Sequence, residues 1–190
     1  METDNNKIKK WILPKPINND EIPNCTINYT LQKVLRRRGI NLEEDLVEFL
    51  TPSVLPNPEI HFYELKKATQ RIINACERQE KIAICGDYDA DGITSTVLLV
   101  ELLSILGANV KSYIPSRQEE GYGLNINMIN QINDKEIKLI ITVDNGISAI
   151  EAINRSNELS IDLIITDHHK IPDVKLNVFS LIHPENTPID

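Results

Sequence analysis

Three aspartates at alternate positions, Asp87, Asp89 and Asp91, follow a short apolar run and precede Gly92 and an apolar pattern of helical period. This pattern predicts a strand that runs into a turn and a helix, with carboxylates concentrated at the carboxyl end of the strand. Alternate residues of an extended segment point the same way, so the three carboxylates can converge if the backbone stays extended there. Because clustered carboxylates repel one another, a divalent cation is the simplest stabilising partner. An acidic turn that caps a helix is the alternative explanation.

Two later stretches place side chains of the same kind at the end of an apolar run. One ends in Asp144 and the dipeptide Asn-Gly, and the other in Asp167 followed by His168 and His169. Taken alone, the first is an ordinary turn and the second is a pair of polar side chains at a helix start. Because ligands bind beyond the carboxyl ends of parallel strands, the three strand ends together predict one shared site.

The donor types at this predicted site indicate the chemistry. Carboxylates and imidazoles at one sheet edge fit Mn²⁺ or Mg²⁺ better than a structural zinc ion, which favours thiolates. Several carboxylates also suit two ions about 4 Å apart that share a bridging acid and a bridging water. Such a pair lowers the pKa of the water and stabilises the attacking and leaving oxygens at phosphorus. The side chains therefore favour phosphoester hydrolysis as the reaction class.

The elements that must position these side chains alternate between strand and helix after the first strand. Strands are predicted at residues 109–114, 138–143, 161–166 and 177–182, and helices at residues 93–106, 125–133 and 148–157. Alternation of this kind implies parallel pairing through right-handed crossovers. We therefore predict an α/β fold with a three-layer parallel sheet, preceded by a small helical N-terminal region.

The N-terminal region, residues 1–80, is predicted to be a polar arm followed by helices, and residues 81–190 the catalytic domain. The helices are expected from residue 28 to the glycine at 39, over 42–50 and over 63–79, with Pro52, Pro56 and Pro58 forming a rigid connector. Three consecutive arginines at 36–38 either place positive charge at a helix C-terminus or contact phosphate.

Composition excludes some classes of protein. A hydrophobic content of 41% in 190 residues supports a real core, and no stretch is apolar enough to cross a membrane. The N-terminus lacks the apolar run of a signal peptide, and three scattered cysteines indicate reduced thiols, so a cytoplasmic protein is expected. A net charge of -8 argues mildly against a nonspecific nucleic-acid coat protein but does not exclude nucleic acid as a partner.

The three acidic stretches resemble the first three motifs of the DHH phosphoesterase superfamily, which is named for the Asp-His-His triplet seen at 167–169. Within it, the chain is similar to the RecJ-like branch of single-strand-specific exonucleases. Leu-Arg-Arg-Arg-Gly-Ile at 35–40, Phe-Leu-Thr-Pro at 49–52 and Glu-Gly-Tyr-Gly-Leu at 120–124 carry that similarity. The resemblance implies 5′→3′ degradation of single-stranded DNA with Mn²⁺ or Mg²⁺, in DNA repair and recombination alongside possible repair-protein partners.

The resemblance also implies roles for individual residues. Asp89 holds one metal ion and Asp91 the other, Asp144 bridges the two ions, and His168 ligates the ion shared with Asp91. His169 faces the scissile phosphate, where it stabilises charge or assists the leaving group.

Four further positions have roles by the same resemblance. Asp87 is a metal ligand or supports the ligands from behind, and Asp167 orients the histidines. Arg117 contacts a phosphate and Tyr122 stacks on or positions the substrate, although both could equally be loop-packing residues.

Family members continue past this point with a fourth motif and further domains, so the chain is expected to be a fragment or a naturally short form. Two alternatives to the nuclease stay open. One is a phosphodiesterase of the same superfamily acting on short oligonucleotides or cyclic dinucleotides. The other is a non-catalytic scaffold, although such relatives usually lose metal ligands, and every motif position present here is filled.

Overall fold

A parallel sheet carries the fold of this chain, of which the computed structural model describes residues 12–16, 27–41, 43–51, 57–116 and 123–187. Within those residues the sheet has five strands in the order β2-β1-β3-β4-β5, and every neighbouring pair is parallel. The strands are β1 (Lys81–Cys85), β2 (Asn109–Tyr113), β3 (Leu139–Val143), β4 (Asp162–Thr166) and β5 (Ser180–Ile182). The predicted α/β architecture with a parallel sheet is confirmed, and all carboxyl ends lie at one edge.

Seven helices lie in the described part of the chain. They are α1 (Tyr29–Arg37), α2 (Glu43–Leu50), α3 (Pro58–His61), α4 (Leu65–Glu77), α5 (Ala90–Ile105), α6 (Ile126–Asn133) and α7 (Ile150–Glu158). Most observed bounds lie within two residues of the predicted ones. The exceptions are α5, which begins three residues early, β5, which is three residues shorter than predicted, and α3, which the sequence does not predict.

Helix α3 occupies part of the segment that we predict as a rigid connector. The side chain of Asn57 accepts a hydrogen bond from the Glu59 N–H at 3.0 Å, and Pro58 is the first helical residue. An Asn cap and a proline at the first position are both favourable at a helix start, so one turn of helix forms here. The connector prediction is wrong over residues 58–61, while Pro52 and Pro56 lie outside the described residues.

Helices cover both faces of the sheet, which gives the predicted three layers. Alternate residues of β1 face opposite layers: Ile82 and Ile84 pack with α4 and α5, whereas Ala83 and Cys85 pack with α6 and α7. All four side chains are fully buried. The continuous apolar runs of β1, β3 and β4 follow from this burial on both faces.

The chain divides into two compact units, Met1–Leu55 and Pro56–Asp190. The first contains α1 and α2, and the second contains the sheet and the remaining helices. In the second unit α4 is tied to the sheet by Arg71, whose guanidinium lies 2.7 Å from Glu80 and 2.6 Å from Asp162. The division predicted between residues 80 and 81 stays a prediction. None of the described helices has the length and apolar character that a membrane span requires.

Candidate metal centre

The sheet reverses its strand order at β1, which lies between β2 and β3. In open parallel sheets, such a reversal opens a crevice beyond the carboxyl ends of the two central strands, where ligands bind. The segments that directly follow β1, β3 and β4 carry the three acidic stretches singled out in the sequence. The topology therefore brings the predicted strand ends to one edge.

The three aspartates after β1 are not on an extended strand. Strand β1 ends at Cys85, and Asp89 is the N-cap of α5, where its Oδ1 accepts a hydrogen bond from the Gly92 N–H at 2.9 Å. Asp91 lies in the first helical turn. The condition for convergence along a strand, an extended backbone through Asp91, is not met, because a capping aspartate and the helix dipole favour a helix from Ala90. Asp89 thus caps α5 through its Oδ1, and this hydrogen bond does not occupy its Oδ2.

Glycine allows α5 to begin directly against the end of β1. A Cβ at Gly92 would lie 2.6 Å from the Asp87 backbone nitrogen, and a Cβ at Gly86 would lie 2.0 Å from Thr96 Oγ1. No side chain fits at either position without a shift of the helix. This close contact holds the Asp87 loop and the first turn of α5 together.

Asp87 lies beneath this turn and is only 1% exposed. Among the described residues its Oδ1 has no hydrogen-bond partner. A buried carboxylate oxygen without a partner is costly, and a cation offsets that cost. Asp87 therefore fits a role in or directly behind a metal site.

The turn after β3 places Asp144 in a left-handed conformation with φ at 61°. Its neighbour Asn145 is 1% exposed and ties three segments together. The Asn145 amide donates to the carbonyl oxygens of Cys85 at 3.0 Å and Val143 at 2.9 Å, and its Oδ1 accepts from the Leu124 N–H at 3.1 Å. The ends of β1 and β3 are thus held at a fixed separation. We did not predict this role from the sequence.

The turn after β4 is organised by Asp167, which is 7% exposed. Its Oδ1 accepts from the N–H groups of His168 at 2.7 Å and His169 at 3.1 Å, and lies 2.7 Å from His169 Nδ1. Its Oδ2 accepts from the Ile147 N–H at 3.0 Å. Burial alone would raise the pKa of Asp167, but these hydrogen bonds outweigh it and lower the pKa. Asp167 therefore anchors the histidine turn, as the resemblance implies.

The side chains from the three turns meet above the sheet. His168 Nε2 lies 2.9 Å from Asp144 Oδ1 and 3.7 Å from Asp91 Oδ2. One ligand atom from each of Asp144, His168 and His169 falls within 4.8 Å of the other two. The His168 and Asp91 side chains are 58% and 62% exposed, so the cluster opens to solvent.

Charge in this cluster favours a bound cation. Burial and then the charges of Asp91 and Asp89 raise the pKa of Asp144, against the lowering effect of His168. The Gly92 N–H and, more weakly, the Asp144 side chain lower the pKa of Asp89. Carboxylates that repel one another and a buried carboxylate oxygen without a partner fit a hard divalent cation. The types of ligand at this site thus fit Mn²⁺ or Mg²⁺.

The pKa of His169 is set mainly by Asp167. Its hydrogen bond to Nδ1 outweighs burial and raises the pKa of His169. With Nδ1 bonded to Asp167, chemistry at His169 goes through Nε2. Arg117 and Tyr122 lie outside the described residues, so their roles stay predictions.

Comparison with known proteins adds to this geometry. Residues 81–190 match the family model described as the DHH family, N-terminal domain. The chain is 37% identical to the single-stranded-DNA-specific exonuclease RecJ of Bacillus subtilis strain 168, over 93% of this chain and 23% of that protein. It is 35% identical to RecJ of Haemophilus influenzae, over 90% of this chain and 30% of that protein.

A crystal structure of exonuclease RecJ bound to manganese is similar to this chain, with a TM-score of 0.63 and 34% identity. The match covers 70% of this chain and 33% of that chain. The chain spans about a quarter of the length of the curated relatives it matches.

Proposed function

Because this chain belongs to the DHH family, we propose that it hydrolyses phosphodiester bonds of single-stranded DNA as a RecJ-type 5′→3′ exonuclease. The observation that carries the proposal is the meeting of Asp144, His168 and His169 within 4.8 Å at the carboxyl edge of the sheet. The RecJ relatives are named as exonucleases specific for single-stranded DNA, and they match most of this chain. Since the chain spans about a quarter of those proteins, their activity and substrate are proposed for it rather than established.

The side chains suit two divalent ions, Mn²⁺ or Mg²⁺. Asp89, Asp91, Asp144 and His168 would hold the ions, and the buried carboxylate of Asp87 would support or join them from the inner side of the site. A RecJ structure is described as bound to manganese, which supports this choice of metal. When bound, such ions lower the pKa of a water and stabilise charge on the attacking and leaving oxygens.

The chain's own groups orient the substrate and supply charge. His169, whose pKa is raised first by its hydrogen bond to Asp167, keeps its positive charge to higher pH and presents it to the scissile phosphate. The exposed cluster leaves room for a polymer. We assign phosphate contact to Arg117 and base stacking to Tyr122, as the resemblance implies.

The test is digestion of a single strand labelled at its 5′ end, with Mn²⁺, beside a duplex of the same sequence. We expect early loss of label from the single strand only. His168→Ala should abolish the loss, whereas His61→Ala, which removes a histidine of α3 far from the site in sequence, should not. A strand labelled at its 3′ end tests polarity, because a 5′→3′ enzyme shortens it gradually rather than releasing its label first. Equal digestion by wild type and His168→Ala would overturn the proposal.

The same assay separates the alternatives. Dinucleotides and cyclic dinucleotides digested faster than a long strand would indicate a small-molecule phosphodiesterase. Binding of single-stranded DNA without Mn²⁺-dependent cleavage would indicate a scaffold.

Cytoplasmic location and a place in DNA repair with protein partners are further proposals. The free thiols of Cys76 and Cys85 are consistent with a reducing compartment.

A further inference from the structure

His183 follows β5, and both of its ring nitrogens are bonded to backbone groups. The residue is 1% exposed. Its Nδ1 accepts a hydrogen bond from the Glu185 N–H at 3.0 Å, and its Nε2 lies 2.7 Å from the carbonyl oxygen of His169. Because Nδ1 is an acceptor here, the proton of the neutral ring is on Nε2, which donates to that carbonyl.

The carbonyl that His183 holds belongs to a histidine of the metal centre. The His169 N–H and ring Nδ1 are both bonded to Asp167, at 3.1 Å and 2.7 Å from the same oxygen. The end of β5 contacts this turn a second time, since the Asp167 N–H donates to the Ile182 carbonyl at 3.2 Å. Ile182 and His183 therefore hold the turn through backbone groups of Asp167 and His169.

We propose that His183 is a positioning residue of the metal centre, which directs the His169 side chain by holding the His169 carbonyl. Asp167 fixes the peptide plane before the His169 Cα, and His183 fixes the plane after it. When both planes are fixed, φ and ψ are fixed, and so is the direction of the Cα–Cβ bond. Only the consequence for cleavage rests on the proposed function. The arrangement of His169 itself is a property of the metal-free chain.

Two substitutions separate the two hydrogen bonds of His183. The amide nitrogen of Gln reaches about as far as imidazole Nε2, so His183→Gln keeps a donor for the His169 carbonyl. The shorter Asn places its oxygen near the position of Nδ1, so His183→Asn keeps the acceptor for the Glu185 N–H and loses the His169 contact. If His183 acts only in the 183–185 turn, His183→Asn should behave like the wild type. If His183 positions His169, His183→Gln should behave like the wild type.

The measurement is the nitrogen and proton spectrum of the histidine rings in the ¹⁵N-histidine-labelled chain without metal. We expect the His169 ring signals to keep their wild-type positions in His183→Gln and to shift in His183→Asn. His61→Gln is the matched control and should leave the His169 ring signals at their wild-type positions. With Mn²⁺ and single-stranded DNA, His183→Asn should lower kcat about tenfold at unchanged KM, and His183→Gln should restore it.

Several results would overturn the proposal. Wild-type His169 signals in His183→Asn would show that the contact directs nothing. Equal shifts in both variants, or loss of the folded state in both, would show a role in packing alone. A wild-type chain that cleaves no DNA would count against the proposed function only, because the ring signals of the metal-free chain still decide the role of His183.

Discussion

Replacement of Asp167 by Asn tests whether this carboxylate, which we do not assign as a ligand, holds the metal centre together. The two side chains have the same shape, but Asn replaces one acceptor oxygen by a donor. If the amide oxygen takes the place of Oδ1, it keeps the three donors from His168 and His169. The amide nitrogen then faces the Ile147 N–H, which donates to Oδ2 in the wild type at 3.0 Å. The amide nitrogen and the Ile147 N–H are then two donors that face each other in a buried site. The flipped amide is less favourable still, because its nitrogen would face the three donors of His168 and His169.

The magnitude follows from these contacts. A hydrogen bond to a charged group contributes about 1.5–3 kcal/mol, and a buried donor left without a partner costs about 1–3 kcal/mol. Partial relaxation of the turn offsets part of this loss. We expect Asp167→Asn to lower the free energy of unfolding of the metal-free chain by about 2–4 kcal/mol at pH 6.

The effect should depend on pH in a defined way. The pKa of Asp167 lies below its ordinary 3.8, so the stability due to its carboxylate is complete above pH 3.8 and is lost as the pH falls through the lowered pKa. The pKa of His169 lies above its ordinary 6.5, so its stabilising contribution is complete below pH 6.5 and is lost as the pH rises through the raised pKa. The difference between wild type and variant should therefore be largest between these two values.

Urea unfolding in EDTA, followed by circular dichroism at several pH values, measures this difference. Asp173→Asn is the matched control, because Asp173 is an exposed residue of the same loop region and should change the stability by less than about 0.5 kcal/mol. Equal stability of wild type and Asp167→Asn at pH 6 would refute the argument that Asp167 anchors the histidine turn.

Three further substitutions have defined outcomes. Asp144→Asn relieves a carboxylate whose pKa is raised by burial and by neighbouring charges, and Asn suits the left-handed backbone, so stability without metal should not fall. The same variant should lose Mn²⁺ binding in calorimetry and cleavage of DNA; unchanged cleavage would contradict the two-metal assignment. Gly92→Ala should cost about 1–3 kcal/mol in urea unfolding, because its Cβ meets the backbone of Asp87 at 2.6 Å. Arg71→Met should cost about 1–2 kcal/mol, since it removes the guanidinium that contacts Glu80 and Asp162 and leaves Glu80 only the more distant Arg78 at 3.9 Å; a loss below about 0.5 kcal/mol would show that the two carboxylates are solvated.

The sheet could be predicted from the sequence because its central strands are buried on both faces. Continuous apolar runs then mark β1, β3 and β4, and the observed strands begin and end within about a residue of the predicted ones. The edge strand β5 is shorter than predicted, because its pairing with β4 begins at Ser180 and Phe179 contributes a single N–H, which donates to the Leu163 carbonyl at 2.9 Å. Helix α5 begins three residues before the predicted residue 93, because an alternating acidic pattern and a helix cap use the same residue type.

The groups that hold the site in place were harder to find. Asn145 bonds to Cys85, which is 60 residues away in the chain, and His183 bonds to His169 across 14 residues. Such partners are set by the topology and leave no local periodic pattern. An Asn between an Asp and a Gly after a strand, or a His directly after the last strand, is the only signal the sequence carries.

The metal centre is held together by groups that we do not assign as ligands. Contact at Gly92 fixes the turn after β1, Asn145 fixes the turn after β3, and Asp167 with His183 fixes the turn after β4. The carboxylates are therefore kept near one another against their mutual repulsion. The pKa of Asp144 is raised first by burial and also by this repulsion. A cation that binds there relieves the repulsion without having to assemble the site. The affinity for the cation therefore depends on the stability of the folded sheet. In turn, the free energy of unfolding of the chain should rise with the cation concentration.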